Sequence, residues 1–187
     1  MGAPTASEVL VGSPATGTGG ILTAPLGTAL PGGVNATPNV AFVDAGYIGD
    51  DGVTITENRE TTDVFAWGGS KVRVVQSSHS LQISFPLLET TEDSVSLVRG
   101  ADNVSSTADG FKAEVTADVL PHRAFIIDAQ DGERGVRIEI SDGQIISVGD
   151  QVLVHSDATR YEVTVECFPD EDGVKATFYY EDIDDGS

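Results

Sequence analysis

Side chains that could carry out chemistry are present, but their spacing organises none of it. The three histidines, His79, His122 and His155, fall on separate strand edges or loops, and none pairs with another at the i, i+4 spacing of a helical zinc site. The single cysteine, Cys167, can form neither an intrachain disulfide nor a thiolate cluster. Its apolar-facing strand position suits a small core residue. A Gly-x-Ser-x-Gly nucleophile elbow and a Gly-x-x-x-x-Gly-Lys phosphate loop are both absent from the sequence. Gly17-Thr18-Gly19-Gly20 lacks the third spaced glycine of a dinucleotide loop. Asp128-Ala129-Gln130-Asp131-Gly132 and Asp170-Glu171-Asp172-Gly173 look like fragments of calcium loops, yet neither carries the ordered donors closed by a Glu at the twelfth position. The residues point to no catalytic set, no cofactor and no metal.

Composition narrows the class further. A chain of 187 residues with a 40% hydrophobic share fits one domain, able to bury roughly 70% of its unfolded surface without staples. No apolar run approaches the ~20 residues that cross a bilayer. The start has neither the charge nor the apolar stretch of a secretory signal, and Ala6 stands where myristoylation needs Ser or Thr. Synthesis in the cytoplasm and no membrane association are expected. Ten basic residues against thirty acidic ones give a net charge of −20, the opposite of the surface that displaces counterions from nucleic-acid phosphates. Such charge serves either solubility or a surface past which DNA slides without being held.

The elements around these residues are mainly strands. Residues 1–39 read as an extended arm, rich in Gly, Pro and Thr, with one short strand at Ile21-Leu22-Thr23-Ala24-Pro25. Residues 40–48 and 53–56 read as strands split by a Gly49-Asp50-Asp51-Gly52 turn. Residues 58–69, polar at first and then carrying Phe65 and Trp67 before two glycines, read as a long mobile loop. Leu81, Ile83, Phe85 and Leu87 share one face of a strand, opposite Ser80, Gln82 and Ser84. Thr90 with Asp93 has capping-box spacing, and Arg99-Gly100 ends the short helix it predicts. Beyond it, a meander turns at Asp131-Gly132, Asp142-Gly143 and Asp170-Glu171-Asp172-Gly173. Val136, Ile138 and Ile140 alternate on one of its strands. Tyr161, Val163, Val165 and Cys167 share a face on another, opposite Glu162, Thr164 and Glu166. The expected fold is all-β, a two-sheet β-sandwich or barrel over residues 40–181 with one flanking helix and an acidic disordered tail at 182–187.

The order of these segments resembles the major tail (tail tube) proteins of long, non-contractile-tailed bacteriophages, the actinobacteriophage type in particular. The match is carried by Thr28-Ala29-Leu30-Pro31, by Ala41-Phe42-Val43-Asp44-Ala45, and by a stretch at 46–53 resembling the family's Gly-Tyr-Ile-x-x-Asp-Gly-Val signature. It continues through the Trp67 region, Leu87-Leu88-Glu89-Thr90 and the single helix. Arg123-Ala124-Phe125-Ile126-Ile127-Asp128 and Arg160-Tyr161-Glu162-Val163-Thr164-Val165-Glu166 complete it. The likeness spans about residues 26–181.

The resemblance implies a structural virion protein made in the host cytoplasm, whose rings, usually hexamers, stack into a tube. It implies as partners other copies of the chain, a tape-measure protein, a tail terminator and a distal tail protein, with DNA passing through without tight binding. On this basis Asn58, Arg59, Phe65 and Trp67 are candidates for the inter-ring loop. The polar strand faces carrying Thr54 and Thr56, then Ser80, Gln82 and Ser84, are candidates for the channel wall. Glu139, Glu162 and Glu166 are further candidates for that wall, and Arg73 and Arg137 could interrupt it. Taken alone, the residues also leave open a carbohydrate-binding or adhesion β-sandwich and a capsid decoration protein.

Overall fold

The computed structural model describes residues 9–15, 19–156 and 158–184. Eleven strands and one α-helix occur among them: β1 (Ser13–Pro14), β2 (Ile21–Pro25), β3 (Val43–Asp44), β4 (Thr54–Phe65), β5 (Lys71–Leu87), α1 (Glu92–Arg99), β6 (Val104–Thr107), β7 (Gly110–Ala113), β8 (His122–Asp131), β9 (Arg134–Val148), β10 (Tyr161–Cys167) and β11 (Thr177–Asp182). The all-β class with one helix stands. The strands form one continuous nine-stranded antiparallel sheet, seven of them ordered β3-β2-β8-β9-β10-β5-β4 with β1 added on β8 and β11 on β9, together with a separate β6-β7 hairpin.

Strand β9 makes the sheet continuous. Of its fifteen residues, those from Arg134 to Gln144 span the pairing with β8 along one edge, while the other edge is shared end to end by β11 on its first half and β10 on its second. This corrects one turn and one hairpin expected from Asp-Gly pairs. Asp142-Gly143 lies inside β9, because a Cβ on Gly143 would come within 2.9 Å of both Phe125 and Val165 and only a glycine lets the neighbouring strands close over it. The Asp170-to-Gly173 turn is present, held by the Asp172 and Val174 amides donating to Asp170 Oδ1 at 3.0 and 2.8 Å. It does not make a hairpin, since β10 and β11 both pair with β9 and not with each other. The Asp131-Gly132 turn does join β8 to β9.

Alternation dictates the core. Tyr161, Val163 and Val165 lie opposite Leu87, Phe85 and Ile83, so the two clearest apolar faces in the sequence sit side by side and are buried together. Ile21, Phe125, Ile127, Val136, Ile138 and Ile140 join the same cluster, and α1 adds Val95, Leu97 and Val98. Truncating a side chain such as Phe85 in this cluster costs about 3–5 kcal/mol. The helix begins at Thr91, one residue later than its expected cap, with the Ser94 amide donating to Thr91 Oγ1 at 3.2 Å. Gly100 ends it at φ 88°.

The strand expected at 21–25 pairs on both sides, with β3 and with β8. Between 40 and 48, regular pairing is confined to β3 and a bridge from Ile48 to Leu87. The remainder is a tether along the end of β5: the Leu88 amide donates to the Tyr47 carbonyl and the Gly49 amide to the Pro86 carbonyl. The acidic tail expected from 182 begins ordered, with Asp182 in β11 and the Ile183 amide on the Glu133 carbonyl at 2.7 Å. The rest of that tail, 185–187, and arm residues 1–8 and 16–18 lie outside the described residues.

Candidate assembly surface

Within the expected loop at 58–69, residues 58–65 are strand and only 66–69 form a turn. Strand β4 runs through Phe65 and pairs with β5 from Thr54↔Ser84 out to Phe65↔Lys71, turning at Ala66–Ser70. Sequence reading missed this because the stretch is polar on both faces and shows no apolar alternation. Its Thr and Val residues nevertheless favour extended backbone, and β5 offers each of them a partner. Two register shifts, at Glu60/Thr61 and Val64/Phe65, sharpen the twist of the ribbon.

The outer part of this hairpin projects as an arm. Every residue of β4, and β5 from Lys71 to Ser78, is exposed. On one face, Glu57 bonds Arg59 and, at 3.0 Å, His79 Nε2. These bonds hold the Glu57 carboxyl below the usual carboxylate range, His79 contributing most. Further out, Lys71 pairs with Asp63 at 2.6 Å. The tip is apolar, with Trp67 wholly in solvent at 106% relative exposure, Phe65 at 58%, and Val64 and Val72 also exposed. Of the candidates for inter-ring contact, Asn58 and Arg59 lie at the root of the arm, and Phe65 and Trp67 at its end.

The candidates for the channel wall come together on one sheet face. Thr54, Ser84, Thr164 and Ser147 form a row across β4, β5, β10 and β9, and Thr56, Gln82, Glu166 and Gln144 form the next. Ser80 pairs with Asn58 beyond them. Gln82 Nε2 donates to Glu166 Oε2 at 2.9 Å, and the Ser84 and Thr164 hydroxyls meet at 3.1 Å. Glu162 shares this face, as the alternation of β10 requires. The face therefore carries hydroxyls, amides and carboxylates, and neither row contains a Lys or an Arg. Ser147 and Gln144 were not found from sequence, since their place depends on the β9–β10 register.

Two candidates lie elsewhere. Residues 135–140 of β9 are buried on both faces, one against the core and the other beneath the chain at 32–36. Glu139, at 3% exposure, accepts the Gly32 and Gly33 amides at 2.9 and 3.4 Å. Arg137, at 6%, forks onto Asp128 and donates to the Gly33 and Ala36 carbonyls. Both serve the fold, because charges removed from water persist only when fully bonded. Arg73 stands out on the arm, opposite Val64.

No group of three or more His, Cys, Asp or Glu among the described residues is placed to hold a metal. No helix of the described residues is long and apolar enough to cross a membrane. A family model described as phage tail tube protein matches residues 3–186. The chain belongs to the phage tail tube protein family. As a tail tube protein it is a structural component of the virion and not an enzyme, which decides among the readings its residues left open. Solved structures similar to this tail tube protein include a chain of the virion of a native gene transfer agent particle, 16% identical, with 76% of this chain and 91% of that one covered at a TM-score of 0.42. A chain of the tail of an empty gene transfer agent particle with C6 symmetry is 15% identical, with 88% and 97% covered at a TM-score of 0.44. No curated protein sequence matches this tail tube protein.

Proposed function

We propose that copies of this tail tube protein join into rings, six to a ring as the family resemblance implies, which stack through the β4–β5 arm. The polar face of β4, β5, β10 and β9 then lines the channel. The arm carries this reading. A two-stranded ribbon exposed on both faces is marginal by itself in water, and an apolar tip with Trp67 fully exposed gains only when another surface covers it. The acidic and neutral polar face supports the channel assignment, because it offers no cation for DNA phosphates to exchange for counterions. A tape-measure protein in the channel during assembly, and a terminator and distal tail protein at the two ends, are the partners this role requires.

Electron microscopy of the purified protein tests the proposal. Rings or tubes are expected, with residues of the Thr54 and Thr56 rows facing the lumen in a reconstructed map. A protein that stays monomeric at all concentrations and salt levels, or a lumen lined mainly by Lys and Arg, would refute it.

A further inference from the structure

Each copy carries an apolar groove as well as an apolar tip. A cavity of about 540 Å³ lies between the N-terminal strand and the 48–55 segment, with Pro14, Ile48, Val53, Ile55, Ile127 and Ile138 among its walls. Its size is within the roughly 300–1,000 Å³ of sites that take small ligands, so it has room for an indole. Its floor, made of Ile127 and Ile138, is the edge of the hydrophobic core.

The tip cannot reach the groove of its own chain. Ile55 lies in the wall, and the ladder from there to Phe65 carries the tip ~33 Å away at about 3.3 Å per residue. Pairing with β5 over that whole length prevents the arm from folding back.

Charge favours a second copy as the occupant. The β4–β5 hairpin holds three carboxylates, Glu57, Glu60 and Asp63, against three cations, Arg59, Lys71 and Arg73. It is therefore neutral, and the rest of the chain carries the entire −20. A neutral arm approaches an acidic copy with less repulsion than the acidic parts of the chain would meet. Beyond Asp63, which Lys71 neutralises, the tip has Arg73 and no acid, whereas the groove is rimmed by Asp50, exposed in the 49–52 turn, while Asp51 beside it pairs with Arg160 at 3.2 Å.

We infer that the groove beside Ile48 and Ile55 receives the Trp67 tip of another copy, with Arg73 against Asp50 on its rim. The inference rests on the stacking role proposed for the arm and names its receptor. Tip and groove are different surfaces of one molecule, so the contact is head-to-tail: every copy that donates a tip also offers a groove, and growth continues without closing on a pair. Burial of Trp67, which can cover roughly 150–250 Å², anchors the contact.

The test mixes full-length chains carrying Ala66→Cys with chains carrying Ser13→Cys, which leaves Trp67 and the acidic rim intact. After assembly and mild oxidation, a disulfide joining residue 66 of one copy to residue 13 of another is expected by peptide mass mapping. Separately, Ala129→Phe, which fills the groove, and Trp67→Ala should each raise the concentration needed for tubes at least tenfold. Tubes that form with no 66-to-13 link overturn the inference and leave the stacking role standing. A wild-type chain that never polymerises overturns both. If the thiol of the Ser13→Cys chain is unreactive in the low-salt monomer, the groove is closed by its own chain, and that too overturns the inference. Should Ala129→Phe fail to fold, the cross-link, made between exposed positions, still decides.

Discussion

Arg137 and Asp128 face each other across β9 and β8 as direct strand partners, with Nε to Oδ1 at 2.6 Å and Nη2 to Oδ2 at 2.9 Å. The same guanidinium donates to the Gly33 and Ala36 carbonyls at 2.7 and 2.6 Å, so one buried cation ties two strands to the N-terminal segment. Removing either partner leaves an uncompensated charge, at a cost of about 3–5 kcal/mol. Arg137→Ala should therefore lower the urea midpoint severely. Arg137→Lys should recover only part of the loss, since an ammonium cannot reproduce the fork. A fully stable Arg137→Ala variant would show that the network is not needed.

Assembly should strengthen with salt. Each copy brings a charge of −20 to its neighbours, and the Debye length falls from roughly 30 Å at 0.01 M to about 10 Å at 0.1 M. Light scattering across that range should rise. A steady fall would mean that attraction between charges, not screened repulsion, governs the contact.

The arm should be dispensable for folding and required for stacking. Trp67 touches solvent alone, so Trp67→Ala should change monomer stability by no more than about 0.5 kcal/mol while suppressing tubes. Replacing residues 62–75 by an Asn-Gly turn between the paired Thr61 and Gln76 should do the same more completely. Circular dichroism and microscopy together read this out, and normal tubes from the shortened chain would remove the arm from assembly.

DNA should pass the polar face weakly until cations are added to it. Tubes carrying Gln82→Lys and Ser84→Lys should bind duplex DNA more tightly than wild-type tubes, and the affinity should fall more steeply with salt, each phosphate contact adding about 0.9 to the slope. Unchanged binding would place these rows away from the channel.

Cys167 should be inert in the folded chain. Burial, with Glu166 nearby, pushes its thiol up to about 12, so no thiolate forms near neutrality. A thiol reagent at pH 8 should label it only after unfolding. Because the folded value lies above the unfolded one, near 9, the stability tied to this proton is complete below pH 9 and is lost as pH rises toward 12. Cys167→Ala should flatten the thiol's part of that decline.

The residues alone determine the all-β class, the α1 segment, and the faces of β5 and β10, because strict alternation leaves an apolar strand face only one place to go. They also determine the excess of acid and the lack of any catalytic set. Tertiary structure decided the rest where signals were local and ambiguous. An Asp-Gly pair reads as a turn, yet Asp142-Gly143 runs straight because Phe125 and Val165 crowd over Gly143 from the neighbouring strands. The polar stretch after Thr56 reads as a loop, yet hydrogen-bonding partners in β5 make it a strand with no core to mark it. Arg137 and Glu139 read as solvent-facing by alternation, yet the chain at 32–36 folds over them and supplies the carbonyls and amides that make their burial tolerable. Which polar residues form one face depended on register between strands up to 84 residues apart, a relation that spacing along the chain does not encode.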